Sequence, residues 1–333
     1  MKTGIIINNI GTPEDPTPEA VGAYLKEFLM DKEIINLPYL LRYALVHWII
    51  VPRRKFQSAA RYQQIWGKNK SPLMEITESF CKKLQTELGE NFIVTIGMQF
   101  GSPNVGQAIK KLVDSGVDQI IFAPMYPQYA NVTTGGASAL FNRLVRTNKQ
   151  IKSQIVPPFF NQDSFLKTSA DLLKAEWQTG NYQHVVFSFH GLPESQVKKN
   201  KSCELNNQCC NSELQTSPGC YRQQCLTTAK LIAARTGLTT KDYSVAFQSR
   251  LGSAEWIKPY TSDVVKELAQ KNIKNILLQT PSFVADCIET LEEISVELKE
   301  EFQKAGGEKL QAIPCVNDND QWVRDFAGDI RTD

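Results

Sequence analysis

Eight short runs rich in Ile, Val, Leu and Phe punctuate the chain at residues 4–8, 92–98, 119–123, 151–156, 184–189, 243–248, 275–279 and 310–314. Longer amphipathic stretches, such as 105–115, 162–177 and 259–271, fill the gaps with helical periodicity. A strand that is apolar on both faces must be covered on both faces. In chains of this pattern the cover is supplied by helices that cross between parallel strands. The spacing therefore predicts an α/β fold with parallel sheets flanked by helices.

The runs also repeat. Gly97-Met-Gln-Phe-Gly-Ser-Pro103 opens a helix that leads to the strand Asp118-Gln-Ile-Ile-Phe-Ala-Pro124. Ala246-Phe-Gln-Ser-Arg-Leu-Gly-Ser253 opens another, leading to Lys274-Asn-Ile-Leu-Leu-Gln-Thr-Pro281. The offset is about one domain length. Two similar Rossmann-like halves are expected, 1–158 and 159–316, with a Cys-rich insert at 200–225. The stretch 317–333 is expected to pack back on the first half. Parallel sheets bind ligands beyond the carboxyl ends of their strands. The expected site is thus a cleft between the halves, lined by loops such as Asn9-Ile-Gly-Thr-Pro13, Pro124-Met-Tyr-Pro127 and His190-Gly-Leu-Pro193. None of these is a glycine-rich phosphate loop, which weighs against a nucleotide enzyme.

With 333 residues, 42% hydrophobic and 22% charged, the chain can bury substantial cores. A net charge of +2 gives no reason to expect nucleic acid as a partner. The N-terminus runs directly into a strand-like segment, so a cytoplasmic protein is expected. The longest apolar stretch, 38–52, is interrupted by Arg42 and His47 and is too short to span a bilayer. Arg53, Arg54 and Lys55 follow it. That combination suits either a segment lying on a membrane surface or a buried core helix.

Two groups carry candidate chemistry. His190, one of three histidines, ends a strand-like run and precedes Gly191. That position suits proton transfer or metal binding, or else a satisfied, partly buried imidazole. Asp286, Glu289 and Glu293 are spaced three and four apart and are expected on one helix face, with Glu292 and Glu297 on other sides. Such a face is either solvated or meets a cation or a proton.

Five of the eight cysteines fall close together: Cys203, Cys209, Cys210, Cys220 and Cys225. Four of these five could hold a [2Fe–2S] cluster or a structural zinc; the alternative is free or disulfide-forming thiols.

Five motifs, in order, resemble the ferrochelatase family. They are Asn8-Asn-Ile-Gly-Thr-Pro13, Tyr126-Pro-Gln-Tyr-Ala-Asn-Val-Thr-Thr-Gly135, Phe187-Ser-Phe-His-Gly-Leu-Pro-Glu194, Gln248-Ser-Arg-Leu-Gly-Ser-Ala-Glu-Trp-Ile-Lys-Pro259 and Phe283-Val-Ala-Asp-Cys-Ile-Glu-Thr-Leu-Glu-Glu-Ile294. The resemblance covers nearly the whole chain. It implies chelatase-type halves and a lyase of heme biosynthesis that inserts Fe²⁺ into protoporphyrin IX with release of two protons. It implies His190 and Glu289 as the catalytic pair and as contacts of the substrate iron, with Asp286 and Glu293 extending an acidic path. Ile10, Tyr129, Ser188 and Trp256 would line the porphyrin, and segment 38–52 would be an apolar lip at the inner face of the membrane. Several bacterial ferrochelatases carry a [2Fe–2S] cluster, which favours that reading of the cysteines. A homodimer is an open alternative. Cys287 stands where several relatives carry histidine, which leaves its role open. Ile10 stands where chelatases of more carboxylated porphyrins often have tyrosine. The rivals are a cobalt or nickel chelatase acting on another tetrapyrrole, and a non-catalytic heme or iron sensor.

Overall fold

In the computed structural model, described for residues 2–199, 205, 210, 219–250, 252 and 254–332, the eight apolar runs form eight parallel strands in two sheets of four. The strands are β1 (Thr3–Asn8), β2 (Phe92–Ile96), β3 (Gln119–Pro124), β4 (Lys152–Ile155), β5 (His184–His190), β6 (Tyr243–Gln248), β7 (Asn275–Gln279) and β8 (Lys309–Ala312). The sheet orders are β2-β1-β3-β4 and β6-β5-β7-β8. The two orders are the same permutation, which is the structural form of the sequence repeat. The chain separates into two compact units: Met1–Met125 with Asn131–Pro157 and Val323–Asp333, and Tyr126–Ala130 with Pro158–Trp322.

In the first unit, Ile5, Ile6 and Ile7 of β1 are buried to 1% exposure or less. Each contributes about 1.5–3 kcal/mol of burial. The helix Val105–Asp114 begins with a capping box in which Asn104 and Gln107 satisfy each other's backbone donors. It packs so closely on β1 that a Cβ at Gly4 would lie 2.7 Å from Leu112. The last helix, Asp320–Thr332, brings Phe326 against Phe80.

The 38–52 stretch forms the front of a long helical run: an α-helix at Tyr39–Ala44, a wider π-helical turn at Leu45–Ile50, then α-helix again at Val51–Ile65. One side, at Val46 and Val51, joins Leu29 in a small core. The other leaves Leu40 at 78% and Trp48 at 74% exposure, with Tyr39, Leu41, Ile49 and Phe56 also exposed. The segment thus makes a core contact on one side and leaves an apolar surface on the other. Among the described residues no helix is long and apolar enough to cross a membrane.

In the second unit, β5 is the central strand, and its run Val185–Phe189 is fully buried. β6 and β7 flank it in register, Phe189 beside Phe247 and Phe187 beside Gln279. The helix Tyr221–Thr236 stops at Gly237, whose φ of +83° is the left-handed geometry a glycine cap supplies.

Candidate active site

His190 is the last residue of β5, where the strand leaves the core and the ring becomes partly exposed. Its Nδ1 lies 2.7 Å from the Gly191 carbonyl. A carbonyl only accepts, so Nδ1 carries the proton and Nε2 is left with its lone pair. Burial holds the imidazole below its ordinary pKa, against the opposing pull of Glu289 and of the bond to Gly191. The ring is thus a neutral base with one nitrogen available. Trp256 and Phe283 flank it at 6.3 and 6.1 Å between ring centres. Gly191 has no room for a side chain, since a Cβ there would meet the Gln248 carbonyl at 2.8 Å and the Trp256 ring at 3.1 Å.

Glu289 follows β7 in a short helix, Ile288–Leu291. Cys287 caps that helix. Its sulfur accepts the Thr290 N–H while the Thr290 hydroxyl accepts the Cys287 N–H at 3.1 Å. This answers the question that the residue at 287 raised: a buried thiol serves here as an N-cap.

The expectation that Asp286 shares a helix face with Glu289 and Glu293 is corrected. Cys287 is extended, with φ −146° and ψ −171°, so Asp286 lies before the helix. Its carboxylate is buried and already committed. Asp286 Oδ1 accepts from Thr290 Oγ1 at 2.8 Å and Oδ2 from Asn317 Nδ2 at 2.7 Å, while its own N–H donates to Asn317 Oδ1 at 2.8 Å. Asp286 clasps its loop to the one that carries Asn317.

Glu293 begins a second π-helical segment, Glu293–Leu298, marked by the Glu297 N–H reaching back five residues to the Glu292 carbonyl at 3.1 Å. Glu297, four residues on, lines the same wall as Glu293, as residues i and i+4 of a helix do, so the expectation that it falls on another side is corrected. Both line a cleft of roughly 330 Å³ with Gln248, Ser249, Tyr260 and Asp263. Ser249 grips both Glu293 oxygens, its N–H at 2.8 Å and its hydroxyl at 2.7 Å. It does so from a left-handed backbone, φ +66°, that a serine adopts only under constraint. Burial raises the Glu293 carboxyl to about 7, the Ser249 bonds oppose the rise, and the Glu289 charge adds to it.

Gln248 joins these parts. Its amide donates to the Glu289 carbonyl at 3.0 Å, its side-chain oxygen accepts from Ser188 at 2.7 Å, and its backbone carbonyl accepts the Gly191 N–H at 2.8 Å. Ser188 is wholly buried, with its hydroxyl spent on Gln248 and on Thr261 at 2.8 Å. It offers a ligand nothing, which corrects its place among the porphyrin contacts. Tyr129 lies in the second unit, partly exposed, its N–H donating to Gln224 at 2.7 Å. Ile10 belongs to the first unit, half-buried just beyond β1. Asp263 and Tyr221 were not singled out by sequence reasoning; Gln248 and Ser249 lie in the fourth motif and in the repeated loop, and Ser282 in the loop beyond β7, without a role of their own.

Of the cysteine set, Cys203 and Cys209 lie outside the described residues. Cys210, Cys220 and Cys225 are buried. Cys225 lies near enough to Cys210 for the two to interact electrostatically, and it hydrogen-bonds the Tyr221 phenol. Among the described residues no three side chains gather as a metal-holding group. A four-thiolate site would need Cys203 or Cys209 as well.

The profile of the family described as Ferrochelatase matches residues 2–332. The chain is 44% identical to a ferrochelatase of Bdellovibrio bacteriovorus over 99% of each. It is 39% identical to one of Legionella pneumophila over 97% of each. To one of Coxiella burnetii it is 39% identical over 98% of this chain and 92% of the relative. Among solved structures, SirB from Bacillus subtilis with Fe³⁺ shares the fold, with a TM-score of 0.57 at 12% identity over 99% of this chain and 95% of that one. These matches run the length of the chain and include the loops that carry His190, Gln248 and Glu289: the chain belongs to the ferrochelatase family.

Proposed function

We propose that the chain is the enzyme of heme synthesis that inserts Fe²⁺ into protoporphyrin IX. The observation that carries this reading is His190, a neutral imidazole with Nδ1–H bonded to Gly191, a bare Nε2 and the Glu289 carboxylate acting on it. Metallation removes two pyrrole protons and places a cation at the ring centre, so it needs a base and a carboxylate there. Nε2 takes a pyrrole proton, and the charge of Glu289 stabilises the imidazolium that results. Glu289 also meets the incoming iron, which as substrate replaces the protons. Glu293, with its pKa near neutrality, accepts and passes on protons along the cleft it shares with Glu297. Trp256 and Phe283 beside His190 provide aromatic faces against which a macrocycle packs.

An anaerobic assay offering protoporphyrin IX with Fe²⁺, and separately a carboxylate-rich sirohydrochlorin with Co²⁺, tests this reading. We expect turnover with the first pair and at least a hundredfold less with the second, since apolar pockets reject extra buried charges by several kcal/mol. Preference for the second pair contradicts the substrate assignment, and no turnover with either supports a sensor instead.

We further propose that the apolar face at residues 39–56 rests on the cytoplasmic face of a membrane. The support is its exposed Tyr39, Leu40, Leu41, Trp48, Ile49 and Phe56 beside Arg53, Arg54 and Lys55. For the cysteine segment we propose a [2Fe–2S] cluster held by four of Cys203, Cys209, Cys210, Cys220 and Cys225. Buried thiols suit it, and no step of iron insertion runs through it. Anaerobically purified protein without iron or acid-labile sulfide would rule the cluster out.

A further inference from the structure

The four backbone hydrogen-bonding groups of His190 and Gly191 each have a partner. The His190 N–H donates to Ser282 Oγ at 2.8 Å, and the His190 carbonyl accepts from Tyr221 Oη at 2.6 Å. The Gly191 N–H donates to the Gln248 carbonyl at 2.8 Å, and the Gly191 carbonyl accepts from the His190 ring. Tyr221 also hydrogen-bonds the Ser282 hydroxyl. The direction of that last bond follows from the others. Tyr221 has one proton, committed to the His190 carbonyl, so Ser282 donates and the Tyr221 oxygen accepts.

The four groups therefore close a ring: His190 N–H to Ser282 Oγ–H, to Tyr221 Oη–H, to His190 C=O. Every donor faces the same way round, the arrangement in which hydrogen bonds polarise and strengthen one another. The ring is shielded, with Tyr221 only 6% exposed. Its two hydroxyls come from separate elements, the start of the helix Tyr221–Thr236 and the loop after β7. The Tyr221 hydroxyl, which the Cys225 thiol also meets, and the half-buried Ser282 hydroxyl thus converge on the backbone of a single residue. Ser282 holds the peptide before His190 through its N–H and Tyr221 the peptide after it through its C=O, so together they fix the backbone on both sides of the side chain whose ring reaches the Gly191 carbonyl.

We infer that Tyr221 and Ser282 are positioning residues for His190, holding the peptides on either side of it so that the ring keeps the Nδ1–H tautomer and presents Nε2 to the substrate. This rests on the reading of His190 as the pyrrole base. The test compares Tyr221→Phe, Ser282→Ala, Ser282→Thr and His190→Ala in the iron-insertion assay, together with ¹⁵N spectra of the His190 ring. Loss of one buried hydrogen bond costs about 1–1.5 kcal/mol, so Y221F and S282A should each lower kcat roughly tenfold, with KM for the porphyrin little changed. Their ring spectra should show mixed tautomers, while S282T, which keeps the hydroxyl, restores both rate and spectrum. A merely structural role would lower thermal stability and leave the tautomer alone. Wild-type kcat and a single Nδ1–H tautomer in both Y221F and S282A would overturn the inference. Should Y221F not fold, the Ser282 pair carries the same decision. Full activity of H190A would instead defeat the base reading, and the ring spectra would still decide the positioning.

Discussion

Glu293 shows how a single residue can be charged with two tasks. Its carboxyl is raised from 4.5 to about 7 by burial, even though Ser249 binds both oxygens. A group whose pKa is higher in the folded state than in the unfolded chain holds its proton more tightly when folded. Its stabilisation is therefore complete below about pH 4.5 and is lost as the pH rises through 7. A shift of this size corresponds to roughly 3 kcal/mol. Glu293→Gln, which cannot ionise, should remove that loss. Urea unfolding at pH 5 and pH 8 should show the wild type losing on the order of 2–3 kcal/mol more than E293Q over that interval; parallel pH profiles would show that Glu293 does not hold a proton at neutrality. Asp286 has the opposite assignment. Its spacing put it on a helix face with Glu289 and Glu293 and the resemblance on an acidic path, yet its oxygens are used by Thr290 and Asn317.

At the scale of elements, the π-helical turns matter most. The one at Glu293–Leu298 forms the cleft wall that carries Glu293 and Glu297. The one at Leu45–Ile50 lies within the run that buries Val46 and Val51 and exposes Leu40 and Trp48. If this outer face lies on lipid, replacing Leu40 and Trp48 with Asp removes two apolar anchors worth about 1.5–3 kcal/mol each. Flotation with vesicles containing anionic lipid should then show binding weakened at least tenfold, and weakened also by high salt through the loss of attraction at Arg53 and Arg54. Equal flotation of wild type and the L40D/W48D variant would contradict the membrane reading.

At the scale of the whole molecule, the sheets are legible because buried parallel strands are written as unbroken apolar runs. Ile5, Ile6 and Ile7 in β1 and Val185–Phe189 in β5 stand out from any helical period. The repeated loops at Gly97 and Ala246 anticipate the shared strand order. His190 and Glu289 are legible from their motifs. What the sequence hides is everything made by contact at a distance. No periodicity reports that Tyr221 and Ser282, separated from His190 by 31 and 92 residues, meet at its backbone. Nor does spacing reveal that an extended Cys287 ends the carboxylate row at Asp286. Glu297, four residues after Glu293, was legible from spacing and was misassigned.

The central claim is that His190 takes a pyrrole proton while Glu289 receives the charge. Single-turnover insertion of Fe²⁺ into enzyme-bound protoporphyrin IX, followed by absorbance under anaerobic conditions, measures that step directly. Removal of a general base typically costs 10²–10⁴-fold. H190A should therefore bind porphyrin but metallate it about a hundredfold or more slowly, with part of the rate restored by added imidazole, and Glu289→Gln should be slowed by a similar factor without rescue. Metallation by both variants at the wild-type rate would contradict the account.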